Sequence, residues 1–213
     1  MTKWLSRFAF LLTGLCVAAP GPAQAHPHVW VTMKSELVYA PDGTLTGIRH
    51  AWTFDDMFSA FATQGLESKK KGEFTREELA PLAEVNVTSL KEYDFFTHAK
   101  LDGKKAPLMD PVDYWLDYRN SVLTLHFTLP LMTPAKSRKV AIEIYDPTYF
   151  VDFSFDENNP VTLSGMSAPC KLDIVRPGDA TAQSQRLGEA FFSQQDASNW
   201  GAQFANKISV TCP

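Results

Sequence analysis

Between residues 95 and 155 the chain breaks into short extended runs, "FTHAKLDGKKAPL", "DYWLDYRN", "SVLTLHFTLPL", "KVAIEIYD" and "TYFVDFSF", separated by Gly, Pro and Asn punctuation. Runs this short, with apolar residues alternating with polar ones, bury one face of a strand, and breakers so closely spaced leave no room for long helices. A sheet is therefore the frame that the rest of the chain has to fit. The stretch from His28 to Val38 alternates in the same manner, "PDG" at 41–43 makes a turn, and "TLTGIRHAWTF" resumes the extended pattern, which predicts a β-hairpin. On strand parity His28 and Trp30 share one face, and His50 shares a face with Ile48 and Trp52.

Helical spacing interrupts the strands. "DDMFSAFATQGLE" over 55–67 starts on an aspartate cap, and "TREELAPLAEVNVTSLKEY" resumes helix from Thr75. The tail predicts a helix at about 180–194, a second one from Asn199 to Lys207 and a last strand. The expected fold is α+β, an antiparallel β-sheet core with a helical hairpin inserted at about 55–93 and C-terminal helices, in a single domain over residues 26–213.

Residues 1–25 carry Lys3 and Arg7, then the apolar run "FAFLLTGLCVAA", then "PGPAQA", in which Ala23 and Ala25 fit an A-x-A cleavage site. This reads as a signal peptide cut after Ala25, and it places the mature protein in the periplasm. The apolar run is about a dozen residues, short of the roughly 20 that span a membrane, so no stable membrane insertion is expected once the signal is gone. The chain has 24 acidic and 20 basic residues, two of the latter in the signal. That acidic balance argues against nucleic acid as a partner. Cys16 leaves with the signal, and Cys170 and Cys212 remain, an even pair in an exported chain, which predicts one disulfide between two strand-like segments.

The turn "ESKKKGEF" between the two helical segments has the outline of an EF-hand loop, with Gly72 at the invariant glycine and Glu78 at the last ligand position. Lys69 and Lys71, however, occupy positions that need oxygen ligands, and their charge repels a hard cation. No calcium is expected there.

The motifs "HPHVWV", "RHAWTFDDMFS", "LKEYDFFTH", "LHFTLPL", "YDPTYFVDF" and "NWGAQFANKISVTC" resemble an exported family catalogued as domain of unknown function 1007, over nearly all of the mature chain. Many members look as though they hold an acidic loop where this chain has "ESKKKGEF", so calcium is not carried over. The resemblance implies a periplasmic component of an ABC-type transport system, associated with nickel/cobalt-type or zinc transport genes. It implies no particular reaction.

Cleavage after Ala25 would make His26 the first residue, whose α-amine and ring Nδ1 close one chelate on a metal ion, with His28 adding a third nitrogen. The amine titrates near about 8 and imidazole near about 6.5, so neutral donors are available around pH 7. Nitrogen-rich sets suit Zn, Ni, Co or Cu over Ca or Mg. Pro27 has no N–H, which blocks the square-planar mode that uses deprotonated backbone amides and leaves a histidine brace or a plain His-x-His pair. His50 is either a third ligand, or a hydrogen-bond partner of a ligand, next to Asp55 or Asp56, or else a core histidine between Ile48 and Trp52, with Asp55 or Asp56 simply capping the helix. His98, at the join of helix and strand, is either a ligand or a surface residue. His126 lies on the face opposite Leu125 and Phe127, as an exposed strand position does. The candidate metal set is thus His26, His28, His50, His98 and Asp55.

No G-x-S-x-G, H-E-x-x-H or glycine-rich phosphate loop occurs, and the chain is not expected to be an enzyme. The expected function is a periplasmic protein that binds Zn, Ni, Co or Cu and serves a membrane metal transporter or ABC permease. The alternatives are a copper oxidoreductase using a histidine brace and a metal-free accessory subunit of a transport system.

Overall fold

The predicted N-terminal hairpin forms: β1 (Val29–Tyr39) and β2 (Leu45–Phe54) pair antiparallel. Their turn closes where the Gly43 N–H donates to the Ala40 carbonyl, at a φ of 84° that glycine adopts without strain. The computed structural model describes residues 27–166, 169–177 and 197–213. Residues 1–25, expected to be a signal peptide, His26 and the helix expected at about 180–194 lie outside the described residues.

Two sheets are built around this hairpin. The first runs in the order β5 (Val112–Arg119), β6 (Val122–Ala135), β2, β1, β8 (Val151–Phe155), with β9 (Val161–Ser164) also on β1. The second runs β10 (Lys171–Val175), β11 (Asn206–Thr211), β7 (Lys139–Ile144), β3 (Thr97–Leu101), β4 (Lys104–Lys105). Strands outweigh helices, in a mixed α+β arrangement.

The expectation of a purely antiparallel core is corrected by β8 and β9, which both run parallel to β1. The reason is length. β1 has 11 residues, enough for β8 to take Val29–Met33 and β9 to take Ser35–Val38 in succession, the loop at 156–160 stepping between them. Alternation of side chains says which face is buried and nothing about direction. The Cys170–Cys212 disulfide is present and joins the start of β10 to the end of β11.

The inner faces of both sheets share one apolar core, with Met33, Leu37, Ile48, Trp52 and Phe127 from the first against Ala99, Ile142, Ile144 and Ile208 from the second. Each of the larger aliphatic and phenyl side chains contributes about 1.5–3 kcal/mol on burial. Helix α1 (Asp56–Ala62) stops earlier than the 55–67 pattern suggests, and Gly65 beyond it has φ 80°. Buried Ser59 pins it to β6, donating to the Asp55 carbonyl and accepting the Leu123 N–H at 3.0 Å. Helix α2 (Arg76–Leu90) opens on a capping box of Thr75 and Glu78 and buries Leu79, Ala83 and Val87 at helical spacing. It leads into a 3-10 segment, Lys91–Phe96, that ends with Asp94, Phe95 and Phe96 all at positive φ. The helix expected from Asn199 to Lys207 is instead a 3-10 segment, Ala197–Phe204, and β11 begins at Asn206. Among the described residues no helix is long and apolar enough to cross a membrane.

Candidate functional site

His28 stands exposed at the entry to β1. Its backbone N–H donates to the Phe150 carbonyl at 2.8 Å, and its ring lies against the Phe150 ring with centroids 4.9 Å apart. The turn that carries Phe150 is rigid for a clear reason. The carboxylate of buried Asp146 accepts the Thr148 hydroxyl and the N–H groups of Thr148, Phe150 and Val151, four bonds that fold the segment back on itself just before β8.

The parallel register sets Trp30 opposite Asp152, so His28, Trp30 and Asp152 face the same side of the first sheet. It is the outer side, because Val29 and Val31 point into the core. Asp152 is half-buried, and desolvation raises its carboxyl above the usual range. Its carboxylate makes no hydrogen bond or ion pair among the described residues, although its charge, after burial, helps to raise the neighbouring Tyr149 phenol. Sequence reasoning passed over Asp152. The available signal was an acidic residue inside the apolar run "TYFVDFSF".

Asp55 lies beside the same strand and is fully engaged there. Its Oδ1 accepts the Phe58 N–H at 2.8 Å as the N-cap of α1, and its Oδ2 accepts the Trp30 N–H at 2.9 Å. The residue therefore clamps α1 to β1, two positions from His28.

His50 takes the core alternative. It is 1% exposed, among Trp52 and Phe127. The Thr97 hydroxyl donates to the Phe95 carbonyl at 2.9 Å, so it accepts from His50 Nε2–H, and Nδ1 in turn accepts the Ser35 hydroxyl at 2.9 Å. This one imidazole bridges β1 in the first sheet and β3 in the second. Burial pushes its pKa down to about 3, fixing it neutral.

His98 lies on β3, half-buried against Tyr145, and burial lowers its pKa. Its Nε2 has no partner among the described residues. His126 stacks flat on Trp115 at 4.6 Å, with the Arg76 guanidinium 4.4 Å from the same indole. Among the described residues no three His, Cys, Asp or Glu side chains come together as a group able to hold a metal ion. The structure thus brings His28, Asp55 and Asp152 to one end of β1, and places His50 and His98 elsewhere.

In the EF-hand-like turn the Glu78 carboxylate is committed as well, Oε1 to the Lys69 N–H and Oε2 to the Thr75 N–H. Behind the start of β1, on the inner side of the sheet, lies an apolar cavity of 440 Å³.

The model of a family described as "Protein of unknown function (DUF1007)" matches residues 11–212. A protein of Haemophilus influenzae, called only "Uncharacterized protein", is 24% identical over 192 residues, which cover 88% of this chain and 91% of the relative. A second relative, from Spirochaeta aurantia and described as an uncharacterized 15.5 kDa protein in the trpE 3′ region, is 31% identical over 93 residues, 43% of this chain and 66% of its own length.

Proposed function

We propose, for a chain that belongs to the DUF1007 family, that it is an exported transition-metal-binding protein serving a membrane metal transporter or ABC permease, with its site at the exposed start of β1. The observation that supports this reading is the parallel register that puts Asp152, opposite Trp30, on the same outer face of the first sheet as His28. An exposed imidazole and a half-buried carboxylate without a hydrogen-bond partner among the described residues share one face there, and a cation would relieve the desolvation that now raises the Asp152 carboxyl. His26, two residues before His28, would add its ring and, after cleavage, its α-amine.

This donor set fits Zn, Ni, Co or Cu, which accept imidazole and amine nitrogens together with one carboxylate. The other candidates have different work. His50 has both ring nitrogens hydrogen-bonded to hydroxyls, Asp55 has both oxygens on backbone N–H groups, and His98 belongs to the second sheet. A bound metal would supply charge for transfer rather than a reaction, and the protein is read as a carrier and not as an enzyme.

Competition titrations with Zn, Ni, Co and Cu test the proposal on the mature protein, a form extended by one residue before His26, and the His28→Ala and Asp152→Asn variants. The extended form has an amide in place of the α-amine, and each of the three altered proteins should bind about tenfold or more weakly. Protons compete for the nitrogens, so affinity should fall between about pH 7.5 and 5.5. Equal binding by all four proteins would remove the site from the start of β1. Redox turnover with copper would move the reading to an oxidoreductase, and failure to bind any of the four metals would move it to a metal-free accessory subunit.

A further inference from the structure

The second sheet turns an open face away from the core. Register carries Lys105, Lys100, Ala141, Ser209 and Asp173 in one row across its strands. Alternation puts all of them on the side opposite Ile142 and Ile208, and each is exposed. Ala141 and Ser209 at the middle of the row are small, so the face has low relief.

Charge is uneven on it. The chain as a whole is acidic, with 24 Asp and Glu against 20 Lys and Arg, yet the end of the face at β3, β4 and β7 is basic. The turn at Asp102 and Gly103 sets Lys104 back beside Leu101 and Lys105 beside Lys100. Asp102 also ties this turn to the start of β7. Its N–H donates to the Lys139 carbonyl at 2.8 Å, and its Oδ1 accepts the N–H groups of Arg138 and Lys139 at 3.1 and 2.9 Å. Five cations, Lys100, Lys104, Lys105, Arg138 and Lys139, are thus gathered round one turn. All are exposed, and none is in an ion pair among the described residues. Asp173 and Glu143 on the same face are already matched, by Lys171 at 2.9 Å and Lys207 at 3.1 Å. Residues 178–196 carry Asp179, Glu189 and Asp196 against Arg186, too few carboxylates to neutralise the cluster.

An apolar border adjoins the cations. Beyond Lys105 the chain runs antiparallel to the end of β6, where Leu108 bridges Leu131 and the Met132 N–H donates to the Pro107 carbonyl at 2.9 Å. Met109 and Met132 are left 49% and 60% exposed there.

Two features choose the occupant. Four of the five cations are lysines, hydrated point charges on flexible stems, which suit a layer of mobile anions; protein interfaces are instead depleted in Lys and enriched in Arg and aromatic rings. Exposed methionines beside them supply the apolar area that adds to electrostatic attraction at a membrane surface.

We propose that this face docks the protein peripherally on a bilayer rich in anionic phospholipid, with the five cations in the headgroup layer and Met109 and Met132 at its acyl boundary. The face lies across the core from the first sheet, which carries His28 and Asp152, so the inference does not rest on the metal reading.

Co-sedimentation of metal-free mature protein with vesicles tests it, in calcium-free buffer, using phosphatidylcholine alone or with about a third phosphatidylglycerol. Binding to the anionic vesicles and not to the neutral ones is expected, falling steeply between about 0.05 and 0.5 M salt as the Debye length shrinks. Lys100→Gln/Lys105→Gln should lower the partition coefficient about tenfold or more, at about fivefold per lysine. Lys69→Gln/Lys71→Gln removes the same charge from the exposed turn before α2 and should leave it within about twofold. Met132→Ser should weaken binding about threefold, with far-UV circular dichroism checking the fold of each variant. No preference for anionic vesicles overturns the proposal. So does a preference that Lys100→Gln/Lys105→Gln leaves untouched in folded protein, or equal losses in the two lysine pairs, which would make net charge the cause. Saturable binding of a polyglutamate peptide through the same lysines, without vesicle binding, would assign the face to an acidic protein and overturns it as well. Unchanged binding by Met132→Ser overturns the placing of the methionines.

Discussion

His50→Leu should destabilise the protein at neutral pH and much less in mild acid. At pH 7.5 the substitution removes the acceptor of the Ser35 hydroxyl and the Nε2–H donor to Thr97, in a setting where both side chains are buried. Thr97 keeps its bond to the Phe95 carbonyl, so the main loss is a dry Ser35 hydroxyl, worth about 1–3 kcal/mol. The pH dependence follows from linkage. In the folded protein the imidazole stays neutral down to about 3, whereas in the unfolded chain it titrates near about 6.5. Below that value the unfolded state takes up a proton that the native state refuses, and stability falls as pH falls, by up to about 1.4 kcal/mol per unit. By pH 5 the wild type has lost about 2 kcal/mol through this one group, and the leucine variant loses nothing through it. The gap between the two proteins should therefore close by about 2 kcal/mol from pH 7.5 to 5. All other histidines and carboxylates are common to both and cancel in the difference. Urea unfolding followed by tryptophan fluorescence at four pH values measures it. A gap that stays constant would show that His50 protonates in the folded state, contrary to a core position between the two sheets. Zinc titration of the same variant should match the wild type, since His50 has no free lone pair in the structure.

Reduction of Cys170–Cys212, which closes a sequence separation of 42 residues, should lower stability by up to about 4 kcal/mol, and thiol labelling of the denatured, non-reduced chain should find no free sulfhydryl. Asp146→Ala removes the acceptor of four hydrogen bonds at a buried turn and should cost more than about 3 kcal/mol, seen as a fall in melting temperature; an unchanged melting curve would refute the turn's role. Millimolar calcium should leave the melting temperature unchanged, because Lys69 and Lys71 bring positive charge to the turn and Glu78 is committed to backbone N–H groups. Glu78→Ala should by itself cost about 1 kcal/mol through the lost capping box.

What was legible in the sequence was whatever local periodicity encodes. Alternation marked β1, β2 and the strands between Thr97 and Phe155, the aspartate before "DMFSAFA" marked the cap of α1, and the two remaining cysteines marked the disulfide. Parity also put His50 with Ile48 and Trp52, the core reading that the structure supports. The partners that make a buried imidazole tolerable, Ser35 and Thr97, lie 15 and 47 residues away, and no local pattern links them. Strand direction was illegible for a related reason. Pairing β8 and β9 parallel to β1 requires the chain to return only after β2 to β7 are in place, which is a property of the whole topology.

The same limit explains why the end of β1 was half visible. His26 and His28 announce themselves as a pair of donors, but Asp152 comes onto the face that carries His28 only through the parallel register, and it reads in sequence as one polar residue in a strand. The cavity is hidden more deeply. "YDFF" at 93–96 has the composition of a helix end packing its rings away, and it lacks the glycine or asparagine that normally signals a left-handed turn. Its backbone nevertheless takes three consecutive positive φ values, which burial of Phe95 and Phe96 against the core can offset at about 1.5–3 kcal/mol each. Packing energy drawn from the core thus sustains a conformation that local preference opposes, and that conformation places Tyr93 and Phe96 on the cavity wall instead of closing it.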